Sequence, residues 1–533
     1  MKANILSVSS ALMLLCAGVM TGCHDDNGNY TYTDLDVIEI TPLGNSDDHD
    51  GTDVFTLERG DRLQISPEVS FNGKPAADVK DAPLSYMWTF YIANTGLGVD
   101  YTIDTLATTP DLDVVINRTA GSYYAQLTVT NTNTGIESYY RAVCNVEEAI
   151  SAGWMLVYER ADKPGYSDVG LVVNPFSKKN IQKNKEFWNL YSSSNEGEPL
   201  PGKPVSIFHE AISLPNGTPR IATTKTIAAV STANFMKVID WNDMFYDTPE
   251  EGEIQWFGPS TKMGCREVLI MNNKLRLLGE GGMAGNPNGC FSIAKQYASD
   301  LGELAAWTST RTSGNAVLES VVYSQTLGAF FYTNTSLYLR PFVTQEAAFD
   351  VNDTDGARLL FGDWEGTTLH DILLFGKGDK RYIAEANFSQ SAALPNIGLK
   401  WIDVSSVPHL TEATTFAVNN VGLYAYFGAG NKLYNLDYTN VRATEAWSAP
   451  DPDEQVVCVR TQKYYFITLH NAMLPNKGEI VHIATWNEAK QQGKLYEYKI
   501  NPASGQILTD EESYEYTVPG KVADMSWKYE MAM

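Results

Sequence analysis

Gly422-Leu423-Tyr424-Ala425-Tyr426-Phe427, a short turn, then Asn431-Lys432-Leu433-Tyr434-Asn435-Leu436: this pair of runs decides the fold. The form is an apolar strand, a polar turn, then a strand ending in a polar residue, and the aromatic residues favour pleated structure. The same form returns at Gly493-Lys494-Leu495-Tyr496-Glu497-Tyr498. Outward from these, strand-like segments recur from Trp154 onward. Ile221 to Val230, Val268 to Leu278, Ala329 to Leu339 and Ile480 to Trp486 are examples, and few stretches carry a helical period. The units return about every 50 residues, near the spacing of propeller blades, which predicts roughly six to eight blades within a β-propeller-like domain over residues 150–533. The last strand, Gly520-Lys521-Val522-Ala523-Asp524-Met525-Ser526-Trp527, is placed to close such a ring by pairing into the first blade. Further tandem sandwiches are the alternative.

Residues 34–148 alternate with period two, as half-buried strands do, between turn signals such as Asn72-Gly73. Leu84, Tyr86, Trp88, Phe90 and Ile92 share one strand face; Tyr123, Ala125, Leu127 and Val129 share another, as do Tyr140, Ala142, Cys144 and Val146. Several short strands around a central Trp predict an Ig-type β-sandwich with Trp88 in its core. Gly121-Ser122-Tyr123-Tyr124-Ala125-Gln126-Leu127-Thr128-Val129-Thr130-Asn131, ending at Gly135, resembles the late strands of PKD domains. Tyr86-Met87-Trp88-Thr89-Phe90 resembles their central Trp strand. Tyr91-Ile92-Ala93-Asn94 stands where the standard module has Gly-Asp-Gly, so the resemblance is to PKD-like domains of surface lipoproteins. It implies spacing and support. The expected class is therefore all-β: an N-terminal PKD/Ig-like β-sandwich followed by a β-propeller-like domain.

The first residues supply an address. Lys2, the apolar run Ile5 to Met20, and Thr21-Gly22 before Cys23 form residues 1–22 of a lipoprotein signal peptide, with Cys23 as the lipidated residue. The run is too short for a spanning helix, which needs about 20 apolar residues. Acyl chains anchor by about 0.8 kcal/mol per buried methylene. Residues 23–33 form an acidic tether, His24-Asp25-Asp26 and onward, which resembles the surface-export signal of lipoproteins in Sus-type nutrient uptake. The expected location is the outer membrane, lipid-anchored and facing the cell exterior.

The 533 residues carry a net charge of −25, spread without long blocks, which disfavours nucleic acid and anionic lipid as partners. Of six cysteines, Cys16 leaves with the signal. Cys265 and Cys290 flank a Gly/Asn-rich stretch. In an oxidising compartment they form a disulfide candidate worth roughly 3 kcal/mol, two buried thiols being the alternative.

Catalytic motifs are missing: no nucleophile elbow, no His-Glu-x-x-His, no phosphate loop. His209-Glu210 lacks its second His, and His370-Asp371 reads as a structural pair. No catalytic residue and no cofactor are expected, apart from calcium as one possibility. Asp350, Asn352, Asp353 and Asp355 gather the oxygen ligands that this ion prefers, although Gly356 falls one place late for an EF-hand. Trp256, Trp307, Trp364 and Trp486 lie beside turns and are the ligand-binding candidates, since a flat ring stacks on a sugar face or a peptide side chain. The expected function is nutrient binding, of a glycan or peptide, as accessory to a Sus-like transporter complex. The alternatives are a propeller hydrolase or lyase acting on a polysaccharide, and a structural subunit of an outer-membrane assembly.

Overall fold

A computed structural model describes residues 36–45, 52–93, 102–147, 150, 152–179, 181, 183–209, 218–260, 267–278, 290–309, 311, 318–334, 337–343, 347–389, 397–419, 424–463 and 474–529. The signal peptide, Cys23, the tether and Cys265 lie outside these residues. The chain divides into two compact units, 1–147 and 148–533. No helix among the described residues is long and apolar enough to cross a membrane.

The first unit is a β-sandwich. Its main sheet runs in the order Val54–Glu58, Glu137–Glu147, Gly121–Asn131, Leu84–Ile92, Asp104–Ala107. Val54–Glu58 pairs parallel to Glu137–Glu147, and the other pairings are antiparallel. Two smaller sheets complete it: Ile38–Thr41 with Glu68–Phe71 and Lys74–Pro75, and Arg62–Ile65 with Leu112–Val115. The alternation read from sequence becomes the core, with Trp88, Phe90, Ala125, Leu127, Val129, Ala142, Cys144 and Val146 buried together. Trp88 is fully buried; its Nε1 donates to the Pro110 carbonyl at 3.2 Å and its ring meets Tyr140 edge-on.

The second unit is a propeller whose described strands form seven sheets. Blade 1 consists of Gly520–Lys528, Gly153–Arg160, Tyr166–Val173 and Lys185–Phe187, from the centre outward, with Leu200–Pro201 also on the third strand. The inner strands of blades 2 to 7 are Pro204–His209, Ile254–Pro259, Leu304–Ser309, Arg358–Trp364, Thr415–Val418 and Glu454–Thr461. These starts return at close to the spacing of about 50 residues typical of propeller repeats. Each inner strand touches the next, and Gly520–Lys528 touches both Pro204–His209 and Glu454–Thr461, so the ring is closed.

Closure is made by antiparallel pairing of Gly520–Lys528 with Gly153–Arg160, with a bulge at Val157/Tyr158. It unites the two ends of the domain in one sheet. Each gap between blades holds its own apolar cluster: Ile221 with Met155 and Val157 between blades 1 and 2, Phe330 with Phe375 between 4 and 5, Leu156 with Leu495 between 7 and 1. Both faces of a blade are therefore covered. Ser320–Ser324 and Ile480–Asn487 are buried along their whole length, as strands sandwiched between neighbours should be.

Candidate functional site

The inner strands surround a central cavity of about 460 Å³, lined by residues of blades 1 to 7. Where these strands end and turn back into their second strands, the cavity leads to a smaller pocket of about 200 Å³. The two share Arg311, Asp363, Trp364, Arg460, Met525 and Ser526. Trp154, Thr461, Gln462, Lys463, Leu474 and Trp527 complete the pocket.

Each side chain is placed by a strand end. Arg358–Trp364 delivers Asp363 and Trp364 at its last two positions. Asp363 accepts from its neighbour Trp364 N at 2.9 Å and, across the blade gap, from Val418 N at 2.8 Å. Glu454–Thr461 delivers Arg460 and, just past its end, Lys463. Lys463 reaches over to blade 5: its ammonium pairs with Asp363, donates to the Trp364 carbonyl at 2.8 Å and lies 4.9 Å from the Trp364 ring centroid. The Arg311 guanidinium lies 4.2 Å from the same centroid. Two cations thus share one indole, an arrangement that is strongest where water is excluded.

Arg460 faces the other way, giving Nε and Nη2 to Asp524 Oδ1 at 2.9 and 2.6 Å, while Asp524 Oδ2 accepts from Ile207 N of blade 2 at 3.0 Å. Burial opposes the Arg460 charge, but Asp524 outweighs it and holds this guanidinium above its ordinary pKa. Lys463 moves in the opposite direction. Burial pushes its ammonium down to about 8; Arg311 and Arg460 add to the fall, and Asp363 opposes it. A lysine depressed by burial beside a specific charge partner in a cleft is a functional-site candidate.

Behind the pocket, Trp154 and Gln462 connect to a buried network. His482 touches Gln462 Oε1 through Nε2 at 3.1 Å and Glu497 Oε1 through Nδ1 at 2.8 Å. Gln462 Nε2 donates to the Phe176 carbonyl at 2.8 Å. Asn174 Nδ2 donates to Glu497 and to Tyr516 Oη. Burial holds His482 below its ordinary pKa, with Glu497 opposing. The Trp154 Nε1–H stands apart. It is buried and has no acceptor among the described residues, which costs about 1–3 kcal/mol unless something supplies one.

Of the tryptophans singled out in the sequence, Trp364 is in the pocket and Trp256 lines the central cavity, both half-buried. Trp307 also borders the central cavity, but it is 5% exposed and packs against Phe330, Phe388 and the bare backbone of Gly362 in the gap between blades 4 and 5. Trp486 is 6% exposed and borders neither cavity; its Nε1 donates to Glu488 Oε2 at 2.6 Å.

The proposed calcium set does not converge. Asn352 is spent on both backbone groups of Phe342, Asp350 and Asp353 each cap an amide two residues on, and Asp355 pairs with Lys377 at 2.6 Å. No cluster of three His, Cys, Asp or Glu suited to a metal occurs among the described residues. Cys290 is half-buried, with Sγ 3.5 Å from the Asp243 carbonyl, and its suggested partner Cys265 lies outside the described residues. His370 pairs with Glu385 at 2.7 Å, beside Lys400 and outside both cavities.

Sequence reading had passed over Arg311, Arg460, Lys463 and Trp154. One signal was present: in a chain poor in cations, Arg460 and Lys463 sit at the end of an apolar inner strand, where a propeller points its side chains inward.

Residues 23–204 match the PKD-like family. That match takes in the sandwich and the opening strands of the propeller, ending at Pro204, the first residue of blade 2. No curated protein matches the chain. Among solved structures, a quinoprotein alcohol dehydrogenase-like protein of Bacteroides thetaiotaomicron is 10% identical, with 89% of this chain and 95% of that one covered at a TM-score of 0.37. The periplasmic gluconolactonase of Pseudomonas aeruginosa is 8% identical, with 72% and 100% covered and a TM-score of 0.38. The β-propeller domain of Myceliophteria thermophila Cps50 (Swd1) is 6% identical, with 68% and 89% covered and a TM-score of 0.34.

Proposed function

We propose that this protein is a lipid-anchored outer-membrane protein, facing the cell exterior, that binds a glycan or peptide nutrient in its propeller channel as accessory to a Sus-like transporter complex. Cys23 and the acidic tether support the anchor and its address. In chain order the PKD-like sandwich separates that anchor from the propeller and serves as a spacer. One observation carries the binding reading: an unsatisfied buried donor, Trp154 Nε1, lies in the wall of a pocket that also gathers Trp364, Arg311, Arg460 and Lys463 from three other blades. The pocket's carboxylate, Asp363, is already engaged by Lys463 and two backbone amides. That engagement suits holding a ligand better than passing protons to it.

Calorimetry of the purified protein against a panel of glycans and peptides, with product analysis of each mixture, tests the reading. Binding is expected to weaken at least about tenfold, or 1.4 kcal/mol, in Trp364→Ala. Silence across the panel overturns the reading in favour of a structural subunit. A second reading has one observation of its own: Lys463, near pH 8, is poised as a general base for a polysaccharide lyase. Appearance of unsaturated sugar products, abolished in Lys463→Arg, establishes that reading over binding alone.

A further inference from the structure

We infer that the pocket takes an acidic sugar: a uronate residue whose carboxylate is met by Arg311, Lys463 and the Trp154 indole N–H. The inference rests on the binding reading above and names its ligand class.

Charge is the first argument. In a protein of net charge −25, the residues lining this pocket include three cations, Arg311, Arg460 and Lys463, and one carboxylate, Asp363. Asp524 already pairs with Arg460 and Asp363 with Lys463, and these five groups, Arg311 included, together carry one more positive than negative charge, which favours an anionic ligand over a cationic one. The excess registers on Lys463, whose proton is loosened by burial and by Arg311 and Arg460. An anion placed beside it works in the opposite sense and tightens that proton.

The second argument is the unsatisfied Trp154 Nε1. It can only donate, so its partner must carry an acceptor oxygen. Carboxylate oxygens accept more strongly than neutral ones.

Shape and backbone then favour a sugar over a peptide. At about 200 Å³ the pocket suits a single ring, and the larger cavity of about 460 Å³ that it joins gives room for the rest of an oligomer. The hydroxyls of Thr461 and Ser526 and the flat face of Trp364 are the groups that hold a ring. A peptide recognised by an inner strand would need that strand's free amides. Those of Ile207, Val418 and Val459 already donate to Asp524, Asp363 and Thr415 of neighbouring blades.

The test is calorimetry of the full chain at low salt. The probes are oligomers of galacturonate, glucuronate and mannuronate, their methyl esters, triglutamate and inorganic phosphate. At least one uronate oligomer is expected to bind about tenfold or more tighter than its ester, and triglutamate and phosphate are expected to bind more weakly still. Raising the pH from about 7 to about 9.5 is expected to weaken the acid several-fold as the Lys463 ammonium is lost, and to leave the ester unchanged. The groups facing Lys463 in this range are Asp363 and Trp364 of blade 5, Arg311 of blade 4 and Arg460 of its own blade. Lys463→Arg is expected to keep the preference for acid while flattening its pH dependence; Arg311→Gln and Trp154→Phe are expected to weaken acid more than ester.

Equal binding of acid and ester, with both lost in Trp364→Ala, overturns the acidic class and leaves the channel-binding reading standing. Binding that Trp364→Ala does not touch overturns both. Tighter binding of triglutamate assigns the pocket to an acidic peptide, and tighter binding of phosphate to an inorganic or phosphorylated anion; either result overturns the sugar.

Discussion

Trp154 lies flat on His482, ring centroids 3.6 Å apart and planes within 7° of parallel. The first residue comes from blade 1 and the second from blade 7, so the contact lies at the seam where the ring closes. His482 is fully buried, and its two nitrogens face Gln462 Oε1 and Glu497 Oε1, so the neutral ring, with one N–H, donates to one of the two. Replacing it by Ala removes the stack and the one hydrogen bond that the ring donates. The expected cost is about 2–4 kcal/mol, read as a lower denaturation midpoint.

The same histidine makes the seam sensitive to acid. Burial holds its pKa below 6.5, so below that pH the unfolded chain binds a proton that the folded chain resists. Stability contributed here is full above about pH 6.5 and declines as the pH falls through and below that value. The melting temperature is expected to drop between about pH 7 and pH 5, and His482→Gln is expected to blunt that drop. An unchanged slope in the variant assigns the acid sensitivity elsewhere.

In the sandwich, Asp53 plays an opposite part. Its fully buried carboxylate accepts from Tyr140 Oη at 2.7 Å and from the amides of Leu43 and Asn45 at 2.8 and 2.6 Å. Burial alone raises its pKa, but these hydrogen bonds prevail and hold it below 3.8. The stability it provides is present above that value and lost as the pH falls through the lower, folded-state value. Tyr140→Phe is expected to cost about 1–3 kcal/mol by leaving a charged acceptor short of a donor, seen in the unfolding of the sandwich.

Ring closure depends on a residue without a side chain. A Cβ at Gly520 runs into the Glu159 carbonyl and the Tyr158 ring, across the pairing that closes the ring. Gly520→Val is expected to destabilise the propeller by about 1–3 kcal/mol. Loss of the near-ultraviolet circular dichroism of Trp154 and Trp527 at lower denaturant than in the parent is the readout. The parent's midpoint retained in the variant counts against closure through this strand.

Two thiols are expected to be inert. Burial pushes Cys144 up to about 12, against a hydrogen bond from the Ala125 amide, and Cys458 up to about 11, against Arg460. Near pH 8 the reactive thiolate is scarce, so their labelling in the folded protein is expected to be at least about a hundredfold slower than in denaturant. Fast labelling of either without unfolding contradicts the packing described for these strands.

The sandwich was legible because its strands bury one face. Tyr123, Ala125, Leu127 and Val129 alternate with more exposed neighbours, and period two survives in the residues. The propeller was less so. Ser320–Ser324 and Ala329–Thr333 are covered on both faces by adjoining blades, so alternation fades and the repeat spacing becomes the remaining signal. Blade number emerged only when seven gaps each received an apolar cluster.

The pocket was legible in one member. Trp364 stood out beside a turn, whereas Trp154, Arg311 and the neighbouring Arg460 and Lys463 lie far apart from one another and from Trp364 in the sequence. Trp307, equally prominent, is buried between Phe330 and Phe388, because a tryptophan beside a turn satisfies inter-blade packing as readily as a ligand.

By itself the sequence determined the all-β class, the sandwich core around Trp88 and the place of the closing strand, because strand periodicity, turns and repeat spacing are local properties of the chain. Only tertiary structure decided that Lys463 reaches Trp364, that Asp524 joins Arg460 to Ile207, and that Trp154 meets His482. Those contacts exist because a closed ring of blades directs the ends of its inner strands into one channel, and charge and burial there depend on what the other blades bring.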